Sequence, residues 1–266
     1  MFVNFEKLKN IIIQKKIELL LKDGTFKTTQ NKRNPASLNL LKSGLTNEKN
    51  LTILEIGPSY GFSSIDIYKF FTKEGFKVKL LAFEKNLYLN FRRSIFNIFF
   101  IYDSEYLVAI YIELLKSFFL MNPKRRNLIL KIASILIQFL WKIHYHSKGY
   151  LKSNKKFKLV TSKINNYPIK VTDNIKDLET NKNILICLNV LNRGYYSKIE
   201  ANNYLSEFCS FLKDGALVLI GRNHGKKESS SLYRYKKSRN KLFLLNNINK
   251  GWDYEEKEIS LIKSYF

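Results

Sequence analysis

The residues whose types and spacing could do chemistry begin with Glu55, Gly57 and Gly61 in the stretch LTILEIGPSYG, residues 51–61. A short apolar run carries Glu55 and stops at Gly57. Pro58, Ser59 and Tyr60 then lead to Gly61 and a segment with apolar residues three and four apart. Glycines suit a backbone that must turn tightly and let a ligand come close, and the amides at a helix start are ready donors to it. The spacing is G-x-x-x-G. It is neither the G-x-G-x-x-G of dinucleotide binders nor a phosphate loop, which would need Lys followed by Ser or Thr. Two further carboxylates end apolar runs: Glu84, followed by Lys85, closes 77–83, and Asp173, followed by Asn174 and Ile175, lies just beyond 167–171. Taken singly, Glu84 could be a solvated strand end, Asp173 a turn residue, and the glycine pair an ordinary strand-to-helix turn.

The elements that must position these groups read as an alternation. Residues 51–56 form a strand, 62–71 a helix and 77–83 a second strand. After a long interruption come strands at 167–171 and 184–190, a helix at 199–212 closed by Gly215, a strand at 216–220, and two more strands at 241–245 and 258–264. The near-continuous apolar run at 184–190 is typical of a parallel strand buried on both faces. Ahead of this, residues 5–21 read as an amphipathic helix and 22–50 as a polar connecting segment. The N-terminus lacks the apolar core and cleavage site of a signal peptide.

In this order the pieces resemble class I S-adenosylmethionine-dependent methyltransferases. Glu55, Gly57 and Gly61 match the strand and glycine turn that cup the methionine part of the cofactor, and Glu84 in LLAFEKN matches the carboxylate that grips the ribose hydroxyls. Asp173 in YPIKVTDNI matches the acidic residue beside the adenine, with Ile175 as an apolar wall. NILICLNVLNRGYY and FLKDGALVLIGR resemble the fourth and fifth strands and their loops. The likeness covers about two thirds of the chain. Asn183 departs from it, standing where an aspartate often opens the fourth strand.

The resemblance implies a doubly wound, Rossmann-like, seven-stranded sheet, mainly parallel with a final antiparallel hairpin, in a single domain over 1–266. It implies S-adenosylmethionine as cofactor, held by Glu55, Gly57, Pro58, Ser59, Tyr60, Gly61, Glu84, Lys85, Asp173, Asn174, Ile175 and Asn189, and in-line displacement at the sulfonium methyl. Ligands of open α/β sheets sit beyond the strand C-termini, which places Asn192, Arg193, Tyr195, Tyr196, Arg222 and Asn223 around an acceptor. As an imidazole, His224 there has an unperturbed pKa suited to a general base, though an exposed loop histidine without that role is the more ordinary reading. His144 and His146, two apart on a helical pattern with no carboxylate or cysteine partner, do not point to a metal.

Residues 86–157 interrupt the alternation with two helical patterns, 94–120 and 127–146, and read as a helical insertion after the second strand that packs on the core or forms a lid. ILKIASILIQFLWK within it also has the make-up of a helix that lies on an anionic membrane surface, although Lys131 and Lys142 leave too short an apolar core to span one.

The chain has 266 residues, with 46 Lys and Arg against 22 Asp and Glu. That excess attracts polyanions. It also fits a general overuse of Lys, Asn and Ile, as an adenine- and thymine-rich coding sequence would produce. Two cysteines give no disulfide framework and fit a cytoplasmic protein. Three functions remain open: a methyltransferase for a small molecule, lipid or glycan; a non-catalytic protein of the same fold; and an RNA methyltransferase. The last is disfavoured because 189–192, NVLN, lacks the Asn-Pro-Pro-Tyr-like loop of base-methylating enzymes.

Overall fold

A computed structural model describes residues 4–15, 17–21, 26–27, 34–46, 48–94, 98–103, 106–121, 135–141, 151–224 and 227–261. The chain divides into two compact units, Gln30–Lys85 with Ser162–Phe266, and Met1–Thr29 with Asn86–Thr161.

In chain order the elements begin with α1 (Phe5–Gln14), β1 (Leu19–Leu20), β2 (Phe26–Lys27), α2 (Pro35–Ser43), β3 (Asn50–Ile56), α3 (Phe62–Lys73) and β4 (Lys77–Phe83). There follow β5 (Tyr88–Ser94), β6 (Ile98–Asp103), β7 (Tyr106–Ile112), β8 (Ser117–Leu120) and β9 (Leu151–Lys158). The chain continues with β10 (Ile169–Thr172), β11 (Lys182–Leu188), α4 (Lys198–Cys209), β12 (Leu212–His224), β13 (Lys227–Lys236), β14 (Lys241–Ile248) and β15 (Glu258–Ser260).

The larger unit is an eight-stranded mixed sheet in the order β10-β4-β3-β11-β12-β13-β14-β15. The first five strands pair in parallel and the last three join as an antiparallel meander. Alternate residues of the central strands feed two cores. Leu54, Leu185, Cys187, Val218 and Ile220 pack with Ala201, Leu205 and Phe208 of α4. Ile53, Ile184, Ile186, Leu217 and Leu219 pack with Leu38 and Leu41 of α2 and Ile67 and Phe71 of α3. Helices thus cover both faces, which is why β11 reads as an unbroken apolar run.

The α/β reading therefore stands, with a mixed sheet, and three details differ. The sheet has eight strands in place of seven, because residues 227–236 add β13 between β12 and β14. The polar stretch before β3 contains a helix, α2, started by Pro35 at its first position. The helix before β12 ends at Cys209 with Ser210 as its C-cap, and Gly215 is the positive-φ residue of an irregularity inside β12 rather than a cap.

The N-terminus of α2 has no cap from its own Asn34. Instead the buried carboxylate of Glu228, on β13, accepts the amides of Ala36 (3.1 Å) and Ser37 (2.7 Å) and the Ser37 hydroxyl (2.7 Å). An anion at a helix start meets both its unpaired amides and its dipole. Glu228→Ala is expected to cost about 2–3 kcal/mol of unfolding free energy in urea titrations, since those donors lose a charged partner without regaining water.

The smaller unit centres on a five-stranded antiparallel sheet, β8-β7-β6-β5-β9. α1 lies on one face: Leu8 and Ile12 are buried, and Phe5 meets the Phe99 ring edge-on at 5.6 Å. A helical segment at 135–141 lies on the other, with Trp141 stacked on Phe100 (5.0 Å) and close to Tyr102 (5.4 Å). The helical pattern expected over 94–120 is thus corrected to strands β6, β7 and β8. Phe, Tyr, Ile and Val dominate there, and dense β-branched and aromatic runs satisfy a three-and-four spacing by chance while favouring a pleated sheet. α1 likewise stops at Gln14, with Leu19 and Leu20 in β1. Of the pattern at 127–146 only 135–141 falls within the described residues, and it is helical; His144 and His146 lie outside them. No described helix is long and apolar enough to cross a membrane.

Candidate functional site

The strand register builds the site. Ile56 of β3 pairs with Phe83 of β4, and Phe83 pairs with Thr172 of β10. Gly57, Glu84 and Asp173 therefore each follow the last paired residue of three neighbouring parallel strands and stand in one row across the sheet's C-terminal edge. The Gly57 amide donates to the Phe83 carbonyl and the Glu84 amide to the Thr172 carbonyl, both at 2.9 Å, which locks the row. With strands about 4.8 Å apart, Gly57 to Asp173 spans roughly 10 Å. The order of strands reverses between β3 and β11, the switch point at which open α/β sheets bind ligands.

The loop from β3 to α3 is left-handed at Gly57 (φ +70°), Ser59 (φ 56°) and Gly61 (φ 83°). Gly57 is required on a second count: a Cβ there would lie 2.3 Å from Val190 Cγ2, in the loop after β11. Glu84 is almost fully buried, and its Oε2 accepts the Ser59 amide at 2.7 Å, so the second strand end braces the glycine loop. The Gly61 amide closes the turn on the Pro58 carbonyl at 2.9 Å, and Tyr60 is wholly buried beneath it.

Glu55 has another place than the resemblance implies. Its buried carboxylate accepts the hydroxyls of Ser63 (2.6 Å) and Ser64 (2.5 Å) in the first turn of α3. Burial drives its pKa up to about 7, opposed by those two hydrogen bonds and assisted by the charges of Glu84 and Asp66. It anchors the helix start.

Asp173, Asn174 and Lys85 are exposed beside the row. Asn174 caps the short turn Ile175–Asp177, accepting the Lys176 amide at 3.1 Å, and Ile175 packs against the core on the α4 side. Asn183 is held locally: its Oδ1 accepts the Thr52 amide at 2.7 Å and its Nδ2 donates to Glu48 at 2.8 Å.

The residues expected to face an acceptor are tied to one another and to the loop between β14 and β15. Asn189, in the left-handed region at φ 66°, accepts the Asn223 amide at 2.7 Å. Asn192 closes its own turn on Asn189, Val190 and Gly194. Asp253 accepts both Arg222 Nη1 (2.7 Å) and the Arg193 amide (2.9 Å), and its carbonyl takes Arg193 Nη2 (2.9 Å). The Tyr254 hydroxyl donates to the Tyr196 carbonyl at 2.6 Å, and the Trp252 indole donates to the Leu191 carbonyl. Tyr196 stacks edgewise on Tyr204 at 5.1 Å, and Tyr195 is half-buried in the same loop. In sequence, the pairing of Trp252 and Tyr254 around Asp253 is the one signal of this loop. The side chain of His224 lies outside what the structure describes. Among the described residues no group of His, Cys, Asp and Glu is arranged to hold a metal.

Solved structures similar to this chain include methyltransferases, several of them described as S-adenosylmethionine-dependent or solved with S-adenosylhomocysteine. One from Clostridium acetobutylicum shares 8% identity over 98% of this chain and 81% of its own, with a TM-score of 0.33. A protein-L-isoaspartate O-methyltransferase shares 10% over 88% of this chain and 51% of its own, with a TM-score of 0.37. Phosphoethanolamine N-methyltransferase 1 from Haemonchus contortus, solved with phosphoethanolamine and S-adenosylhomocysteine, shares 10% over 82% of this chain and 31% of its own, with a TM-score of 0.32. The chain spans about half or less of the length of these last two. No protein-family model matches the sequence, and no curated protein matches it.

Proposed function

We propose that the larger unit binds S-adenosylmethionine along the row Gly57, Glu84, Asp173, and that the chain transfers its methyl group to a small-molecule, lipid or glycan acceptor. The observation that carries this reading is the register: an open glycine turn and two carboxylates end three adjacent strands at one level.

The residues fit the group. Gly57 brings backbone to the sheet edge where any side chain would meet Val190, and the Ser59 hydroxyl is buried in the loop without a partner. When bound, the cofactor supplies a methyl group activated on a sulfonium. The Ser59 hydroxyl would hold its amino-acid end. Glu84, whose carboxylate already steadies the loop, would accept the ribose diol, since each carboxylate oxygen takes more than one hydrogen bond. Asp173 and Asn174 would offer polar atoms to the purine edge beside Ile175. Methyl transfer needs chiefly an aligned acceptor and the exclusion of water, so a general base is required only for some acceptors.

Cofactor at about one hundred times its Kd should raise the unfolding free energy by about 2.7 kcal/mol, read as a higher melting temperature. Glu84→Ala should lose at least about ten-fold in affinity and about half or more of that shift, while Glu84→Gln, which still accepts the Ser59 amide, should fall between. An unchanged shift in Glu84→Ala would remove Glu84 from the site.

A second reading, cofactor binding without turnover, draws on the engagement of Arg193 and Arg222 by Asp253 and of Tyr196 by Tyr254, which ties three of the expected acceptor residues to the protein itself. Formation of S-adenosylhomocysteine with any member of an acceptor panel decides against it.

A further inference from the structure

In the smaller unit, the helical segment at 135–141 is apolar on both sides. Trp141 is buried on the sheet against Phe100 and Tyr102, Ile137 packs into the same cluster, and Gln138 bonds both the amide and the carbonyl of Leu107. At 3.6 residues per turn, residues 135, 136, 139 and 140 then form the opposite side. Ile135 is 66% exposed, Leu136 57%, Phe139 61% and Leu140 52%. A helix of this kind is normally buried all round. Here the anchoring side is fixed by an aromatic stack and a two-point hydrogen bond, so the other is held outward as a ridge of four large apolar side chains. The turn between β7 and β8 adds Leu114, 90% exposed, and Leu115, 63% exposed, followed by Lys116.

The charge around these groups selects their partner. Residues 86–161 contain 13 Lys and Arg against three Asp and Glu. Lys131 and Lys142 flank the helical segment in sequence, and Arg92, Lys156 and Lys158 lie on strands β5 and β9 of the same sheet. Exposed apolar side chains amid a strong cationic excess match an anionic bilayer: apolar groups enter the acyl boundary while lysines and arginines meet the headgroups.

We propose that this face of the smaller unit docks on an anionic lipid surface, with Ile135, Leu136, Phe139 and Leu140 inserting and the Leu114–Leu115 turn as a second point of insertion. The placement does not depend on which cofactor the larger unit holds.

The test is flotation of the intact protein with vesicles of phosphatidylcholine plus phosphatidylserine, and with phosphatidylcholine alone. Co-flotation with the anionic vesicles and not the neutral ones is expected. Phe139→Asp with Leu140→Asp should reduce it at least about ten-fold at low salt, with an unchanged circular dichroism spectrum because Trp141 and Gln138 are untouched. Leu114→Ser with Leu115→Ser, which leaves the helix intact, should reduce it by a smaller factor. Several results would overturn the proposal. These are no flotation with either vesicle, equal flotation by both paired variants, a self-associated protein that the aspartate pair converts to monomer without vesicle binding, or binding of transfer RNA in place of vesicles.

Discussion

Gly57→Ala should be among the most damaging single-atom additions this chain can receive in its larger unit. The alanine must hold φ near +70°, which costs an L-residue about 1–2 kcal/mol, and its methyl would stand 2.3 Å from Val190 Cγ2, an overpacking worth about 1–3 kcal/mol. A combined loss of about 3 kcal/mol is expected in denaturant titrations, together with loss of S-adenosylmethionine binding. Two comparisons separate the causes. Gly75→Ala has a similar φ of +84° but no atom within 4 Å of the added Cβ, so it should cost only about 1 kcal/mol and leave binding intact. Val190→Ala placed with Gly57→Ala removes the opposing methyl and should recover the packing share, leaving the backbone cost. If the double variant is no more stable than the sum of its parts, the contact between the two loops is not what Gly57 protects.

Glu55 makes the second large effect, through pH. Its carboxyl is raised from 4.5 to about 7 by burial, so the folded protein binds a proton more tightly than the unfolded chain. Its contribution is therefore fully favourable below about pH 4.5 and is lost as pH rises through 7. The difference amounts to about 3 kcal/mol between those limits. Glu55→Gln keeps an amide between Ser63 and Ser64 and removes the titration. Urea unfolding from pH 5 to pH 8 should show wild-type stability falling relative to the variant, and parallel curves would mean that Glu55 does not titrate in this window.

The strand-turn-helix from Leu51 to Lys73 was plain in the sequence because glycine spacing and apolar runs answer to local geometry. So were Glu84 and Asp173, since a carboxylate ending an apolar run can be placed without knowing what lies beside it. Their alignment was not legible: register is fixed by pairing between residues 27 apart across β3 and β4 and 89 apart across β4 and β10. Glu55 shows the limit of a motif, because its partners Ser63 and Ser64 turn it inward onto α3. Arg193 and Arg222 looked ready for a ligand until Asp253, some sixty and thirty residues downstream, was brought against them by the meander. The strands at 98–120 failed for a different reason. Aromatic and β-branched density there supports either period, and the turn at 113–116 is what separates strands from a helix.

The most direct measurement is isothermal titration of the intact protein with S-adenosylmethionine and, in parallel, with NAD. Saturable micromolar binding of S-adenosylmethionine, absent for NAD and abolished in Gly57→Ala while Gly75→Ala retains it, is expected. No heat with S-adenosylmethionine, or binding of NAD in its place, would contradict the assignment of the Gly57, Glu84, Asp173 row.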